Sequence, residues 1–195
     1  DEGDGLSLDE MVKPPHGIKH VALESAEDDE LIEAMRQSMW EMYNLGISHF
    51  IDYREGGLDG VKLLKEAAKD IPITPIILAR DSSFYGEDAN YHQVKIALRK
   101  LLKEADGIGL SGFGEIDTTV AEIICERCER EGKISSIHVA ESEDNQLTSL
   151  EKTNKTEPQR AFDAGFNQVV HMTNPKNDDI NQLSKSNSSL TICPR

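Results

Sequence analysis

The stretch Lys133-Ile-Ser-Ser-Ile-His-Val-Ala-Glu-Ser142 decides the fold. It follows a helix-stop signal at Glu131-Gly132 and carries β-branched Ile134 and Ile137, side chains that suit a pleated strand. His138 falls where a short strand should end, and Glu141 comes three residues later on the next bend. Alternation puts His138 and Ala140 on one face, with Glu141 past the strand where the turning chain can aim it inward. An imidazole at a strand tip followed by a carboxylate is one way to build a metal-and-acid site. Taken alone, the stretch reads more readily as a hydrogen-bonded histidine and a solvated glutamate.

Working outward, strand and helix alternate along the chain. Residues 1–22, with Pro14-Pro15, read as a loop, because proline lacks an N–H and restricts its predecessor. A helix opens near Ser25-Ala-Glu-Asp-Asp, its acids favoured by the dipole, and ends at Gly46. Strands are expected to start near 47, 73, 107, 134, 167 and 189, with helices over 61–68, 87–105, 117–131 and 178–186. The segment 145–164 should be partly helical, broken around 153–157. The strand spacing lies close to the ~31 residues of a βα unit in an eight-unit barrel of about 250 residues. The fold class is therefore α/β. The repeat fits an incomplete (β/α)8 barrel of about six parallel strands with outer helices, forming one partial domain over 1–195, and a doubly wound open sheet would also fit. Arg54-Glu-Gly-Gly-Leu-Asp-Gly60 lacks the spacing of a dinucleotide fingerprint.

Composition narrows the function. A formal net charge of -15 argues against nucleic acid, which needs clustered cations, and against anionic membrane surfaces. Three cysteines do not suit a disulfide framework, so a reducing cytoplasm is expected. No run approaches the roughly 18–20 apolar residues of a membrane span.

His138 and His171 lie 33 residues apart, one repeat unit, each at the C-terminal end of its strand. In a βα barrel that end carries the active-site loops, so both imidazoles point into one mouth. Imidazole binds zinc and other divalent first-row ions, and a catalytic zinc keeps a position open for water. A metal-bound water ionises near neutral pH, and Glu141 could carry its proton to a leaving nitrogen.

Four features together resemble the metal-dependent amidohydrolase superfamily. They are His138-x-x-Glu141, Val170-His171 one unit later, Ile192-Cys-Pro-Arg195 and the barrel-like repeat. Its nucleobase and nucleoside deaminases and uncharacterised archaeal relatives are the nearest look-alikes. The resemblance implies hydrolytic deamination or another C–N bond hydrolysis of a small nucleobase-like, amine or amide substrate, with one divalent metal (zinc, or iron or manganese). It casts His138 as a metal ligand and Glu141 as the proton shuttle. It gives His171 a metal or the hydroxide and carbonyl to hold.

The departures carry equal information. The family's first strand ends in His-x-His; here Pro15-His16-Gly-Ile-Lys-His20 has the wrong spacing, and no strand follows His171's region with the family's eighth-strand Asp before Arg195. The chain thus resembles a fragment without the first and last strands, expected to be inactive by itself and to cover its open sheet edges as a homo-oligomer or within a longer chain. The strand ending Gly109-Leu-Ser111 lacks the bridging lysine of two-metal members, which implies one metal.

Arg54 and Ser111 are further candidates for holding substrate, and Asp52 and Glu55 could line the mouth, although a structural ion pair explains Asp52, Arg54 and Glu55 as well. Arg80 and Asp81 also end a strand. Cys125-Glu-Arg-Cys128 sits in a predicted helix without a second pair, so packing outweighs metal binding. Two rivals remain: a βα scaffold that has lost its metal and works as a binding module, and a phosphate-sugar barrel enzyme, which would want a phosphate cradle in the last βα loops.

Overall fold

A computed structural model describes residue 18 and residues 26–86, 88–114 and 116–193. The chain divides into two compact units, residues 1–48 with 62–74 and residues 49–61 with 75–195. The loop expected over 1–22 lies outside the described residues except Ile18, which is helical; His16 and His20 also lie outside them.

In the first unit, α1 (Asp28–Asn44) opens with a capping box between Glu27 and Glu30 and gathers Asp28, Asp29 and Glu30 in its first turn. Its Arg36 guanidinium donates to the carbonyls of Lys69 and Glu66 at 3.0 and 3.3 Å, fixing that helix to the segment around 66–69.

The second unit carries, apart from Thr74, a six-stranded sheet in the order β1 (His49–Arg54), β2 (Thr74–Ala79), β3 (Gly107–Leu110), β4 (Ile134–Val139), β5 (Gln168–His171), β6 (Ser189–Thr191). Each strand lies beside the next in sequence, and β2 to β6 pair in parallel. This is the run of strands expected for an incomplete (β/α) barrel.

The helices are α2 (Gly57–Ala67), α3 (Tyr91–Leu101), α4 (Thr118–Glu131), α5 (Glu143–Thr153), α6 (Glu157–Ala164) and α7 (Asn177–Leu183). The helix expected from 61 begins four residues earlier. Gly56 and Gly57 take φ of +82° and +60°, a left-handed turn that lets β1 pass directly into α2. The break expected inside 145–164 is a full stop. Asn154 takes φ +55° as a C-cap, and Thr156 opens α6 with its own capping box.

Register sorts the sheet into two faces. Ile108 pairs with Ser135, Leu110 with Ile137, and Ile137 with Val169. These residues are buried together with Val139, Val120, Ala121, Ile124 and Leu98, and α4 packs on β3 and β4 while α3 and α6 pack on α4. Cys125 and Cys128 lie in this apolar layer, where burial pushes the Cys128 thiol up to about 12 and the Cys125 thiol higher still. They are packing residues, and a metal pair has no place there.

The opposite face carries Gly109, paired with Ser136, then His138 and Gln168. Gly109 is required by close approach: a Cβ there would sit 2.4 Å from Tyr53 Cδ1 and 2.9 Å from Leu78 Cβ. Gly109→Ala should therefore cost about 1–3 kcal/mol in urea unfolding, since the ring cannot yield without leaving His138; a loss under ~0.5 kcal/mol would contradict this packing. Native protein at pH 8 should expose one fast-reacting thiol, Cys193, to a disulfide reagent, with Cys125 and Cys128 reacting only after denaturation.

Candidate active site

Three side chains meet beyond the C-terminal ends of β4 and β5. His138, Glu141 and His171 each offer a ligand atom, and all these atoms lie within 4.8 Å of one another. The imidazole planes of His138 and His171 stand nearly perpendicular at 84°, centroids 4.9 Å apart. Glu141 Oε1 is 3.6 Å from His171 Nε2. All three are half-buried, accessible yet partly shielded from solvent. Two imidazoles and a carboxylate are a donor set suited to a divalent first-row ion, so the residues present fit the metal that the sequence implies.

Regular pleating would not bring the two histidines together. Val170 is the partner of His138, whereas His171 pairs with Val139. A continuous strand would therefore turn His171 to the Val139 face, away from His138. The chain leaves the pleat at that point. His171 takes φ +74° and Met172 +48°, and Ala140 on the neighbouring segment takes +51°. Three non-glycine residues in left-handed conformations within one site are strained backbone that the surroundings must hold. Cross-links past the sheet do so: Met172 N–H donates to Val139 O at 3.0 Å and Asn174 N–H to Ala140 O at 2.9 Å.

Tyr53 seats the first imidazole. Its ring meets His138 edge-on at 4.9 Å, and its hydroxyl shares a 2.8 Å hydrogen bond with Ser136 Oγ. Burial pushes the Tyr53 phenol above its ordinary range. The Arg80 guanidinium lies over the Tyr53 ring at 5.5 Å, donates to Gly109 O at 2.8 Å and pairs with Glu55 at 2.7 Å.

The same pleat separates the two expected substrate-holding residues. Ser111 is half-buried and one residue past β3, where unbroken alternation from Gly109 would put it on the His138 face. Arg54 alternates with Tyr53 and so turns to the other face, where it forms a two-point pair with Asp52 at 2.9 and 2.6 Å and packs beside Gly60. The structure does not bring Arg54 to the triad; it leaves Arg54 and Asp52 as an ion pair on the helix side. Asp81 caps the short turn Ser82–Phe84. His49 and His92 are exposed and apart from the site.

The profile of the Amidohydrolase family matches residues 4–195. The chain belongs to the amidohydrolase family. Over its whole length it is 48% identical to a protein of Methanothermobacter thermautotrophicus provisionally named an aminohydrolase, and 32% identical to an uncharacterised protein of Methanocaldococcus jannaschii. It spans about half of these curated relatives, 51% of each. Among solved structures it is similar in fold to a zinc- and atraton-bound mutant of the atrazine chlorohydrolase of Arthrobacter aurescens TC1. That match has TM-score 0.73 and 14% identity, and covers 96% of this chain and 49% of that one. Guanine deaminase from C. acetobutylicum, with guanine bound, gives TM-score 0.69 at 13% identity, covering 86% and 44%.

Behind the triad, this amidohydrolase buries a polar cluster that sequence reasoning did not single out. Glu157, only 4% exposed, accepts from Ala140 N–H at 2.8 Å. Gln146 accepts from Glu157 N–H at 2.9 Å and donates to Asn174 O at 3.0 Å. Asp179, fully buried, accepts from Thr156 Oγ1 and from Lys176 N–H. The residues look like ordinary helix-start acids and a solvated amide in sequence; only the tertiary placement of α5 and α6 buries them.

Burial, more than the neighbouring Glu141 charge, raises the Glu157 pKa, against the lowering pull of the Ala140 N–H and Arg160. The folded chain then holds a proton just above the ordinary glutamate value of about 4.3, where the unfolded chain has released it. Stability from this group is full below that value and is lost as pH rises through the folded pKa. Urea midpoints taken upward from about pH 4 should show this fall, and Glu157→Gln should flatten it.

Proposed function

We propose that the site hydrolyses a C–N bond, most plainly by deamination, in a small substrate of the nucleobase, amine or amide type. The observation that carries this reading is the convergence of His138, Glu141 and His171 within 4.8 Å on a family fold whose solved neighbours include a deaminase and a zinc-bound hydrolase. His138 and His171 are the residues that would hold the ion, zinc or else iron or manganese, with further ligands from outside these 195 residues. When bound, that ion supplies the acidification of a water molecule.

The chain's own residues do the rest. Glu141, more exposed than His171, would carry the proton between the attacking water and the leaving nitrogen, accepting it from one and delivering it to the other. His171 Nε2 stands 3.6 Å from that carboxylate; in the alternative role, with the ion held by His138 and outside ligands, His171 would instead steady the attacking hydroxide or the oxyanion forming on the substrate carbon. Tyr53 fixes the plane of His138, so that its nitrogen keeps one direction. Ser111, on the same face, is the substrate-side hydroxyl; Arg54, on the other face, is left out of the mechanism. Free cysteines accord with work in a reducing cytoplasm. Among the described residues no helix is long and apolar enough to cross a membrane. The outer strands β1 and β6 leave sheet edges that a second copy or the rest of a longer chain would cover.

The test separates binding from chemistry. Zinc titration of the chain should weaken at least about tenfold in His138→Ala and in His171→Ala. Glu141→Gln should leave zinc affinity within about threefold while lowering ammonia release from aminated nucleobases by roughly 10²–10⁴-fold in the full-length protein. No zinc bound at saturation would instead favour a scaffold that has lost its metal, and zinc affinity indifferent to both histidines would contradict their role as ligands.

A further inference from the structure

We infer that Glu157 is a positioning residue of the site: its carboxylate, through Ala140, fixes the turn that separates His138 from Glu141. The inference rests on the proposed reading of the triad and assigns a role outside it.

Glu157 is the first residue of α6, a place where an acid ordinarily faces solvent and favours the helix dipole. Here the cap is already supplied by Thr156, whose side chain accepts from Gln159 N–H while Gln159 returns a bond to Thr156 N–H. The Glu157 side chain is spare for capping, yet it is buried and spends a carboxylate oxygen on a single backbone N–H, that of Ala140. Burying an acid is unfavourable unless it is hydrogen-bonded, and this one's bond goes to the Ala140 N–H. What it secures is the left-handed residue between the first imidazole and the carboxylate, at φ +51°.

The bond is one side of a closed bracket. From Ala140 N–H the path runs to Glu157, from Glu157 N–H to Gln146, and from the Gln146 amide to Asn174 O. It then returns from Asn174 N–H to Ala140 O, with the Asn174 side chain donating to Glu141 O at 3.1 Å. The turn bearing Glu141 is thus held at both its N–H and C=O groups. The same Asn174 stands three residues past His171, so one bracket sets the spacing of all three site residues.

The experiment compares the parent chain with Glu157→Ala, Glu157→Gln and a core control, Val94→Ala, whose side chain is buried in α3 away from the bracket. Two readouts are taken: amide hydrogen exchange at Ala140 and Glu141 without metal, and cobalt(II) affinity with the visible absorption of the bound ion. Glu157→Ala should speed exchange at 140–141 at least tenfold relative to β4, weaken cobalt at least tenfold and alter the band intensities. Glu157→Gln keeps an acceptor oxygen and should return both to within threefold of the parent, while Val94→Ala should lower the melting temperature and move neither.

Glutamine failing to rescue, or Glu157→Ala behaving like Val94→Ala, would overturn the inference. If the alanine variant does not fold, Glu157→Asp, which withdraws the carboxylate by one methylene, is read against Glu157→Gln in the same way. If the parent binds no cobalt, the metal reading fails by itself, and the exchange data still decide whether Glu157 positions the turn.

Discussion

The site exists because the backbone leaves the β region where it does. His138 and His171 occupy neighbouring strands one register step out of phase, and an unbroken pleat would show their rings to opposite faces. Positive φ at His171 and Met172 on one strand end, and at Ala140 on the other, turns the imidazoles toward each other and swings Glu141 back over them. Left-handed non-glycine residues cost on the order of 1 kcal/mol or more each, so this geometry must be offset by its surroundings. The hydrogen bonds of Met172, Asn174 and Glu157 across the two loops are that support.

The sheet supplies a rigid base for this strained rim. On the helix side, aliphatic side chains of β3 and β4 lie under α4, with α6 also on β4 and α3 packed against α4. On the other side, small residues such as Gly109 and Ser136 leave room for the Tyr53 ring, which reaches His138. Arg80, held by Glu55 and Gly109 O, lies over that ring. Precision at the site is therefore inherited from strands, while reach is provided by the loops that follow them, the division expected of a βα-barrel enzyme.

Much of this is legible in the sequence. Alternating apolar runs and helix caps gave six strands in the right places, because strand and helix periods differ and Pro and Gly punctuate them. The spacing of His138 and His171 by one unit placed both at the same end of the sheet. Other features were not legible, for physical reasons. Gly56-Gly57 read as loop, since their chemistry permits both a loop and a left-handed entry to a helix. Arg54 looked like a mouth residue because it ends a strand; deciding which face it takes needed Tyr53 as a phase marker. Glu157, Gln146 and Asp179 carry no sequence signal at all, since an acid at a helix start is usually solvated and only the packing of later helices buries these.

A left-handed break brings the imidazoles of positions 138 and 171 within reach of one ion. The most direct measurement is an anomalous difference map at the zinc edge from crystals of the protein grown with zinc. A peak should touch both imidazole rings on the Tyr53 face of the sheet, with the Glu141 carboxylate beside it. A His171 ring on the Val139 face, or a zinc peak that touches neither imidazole, would contradict it.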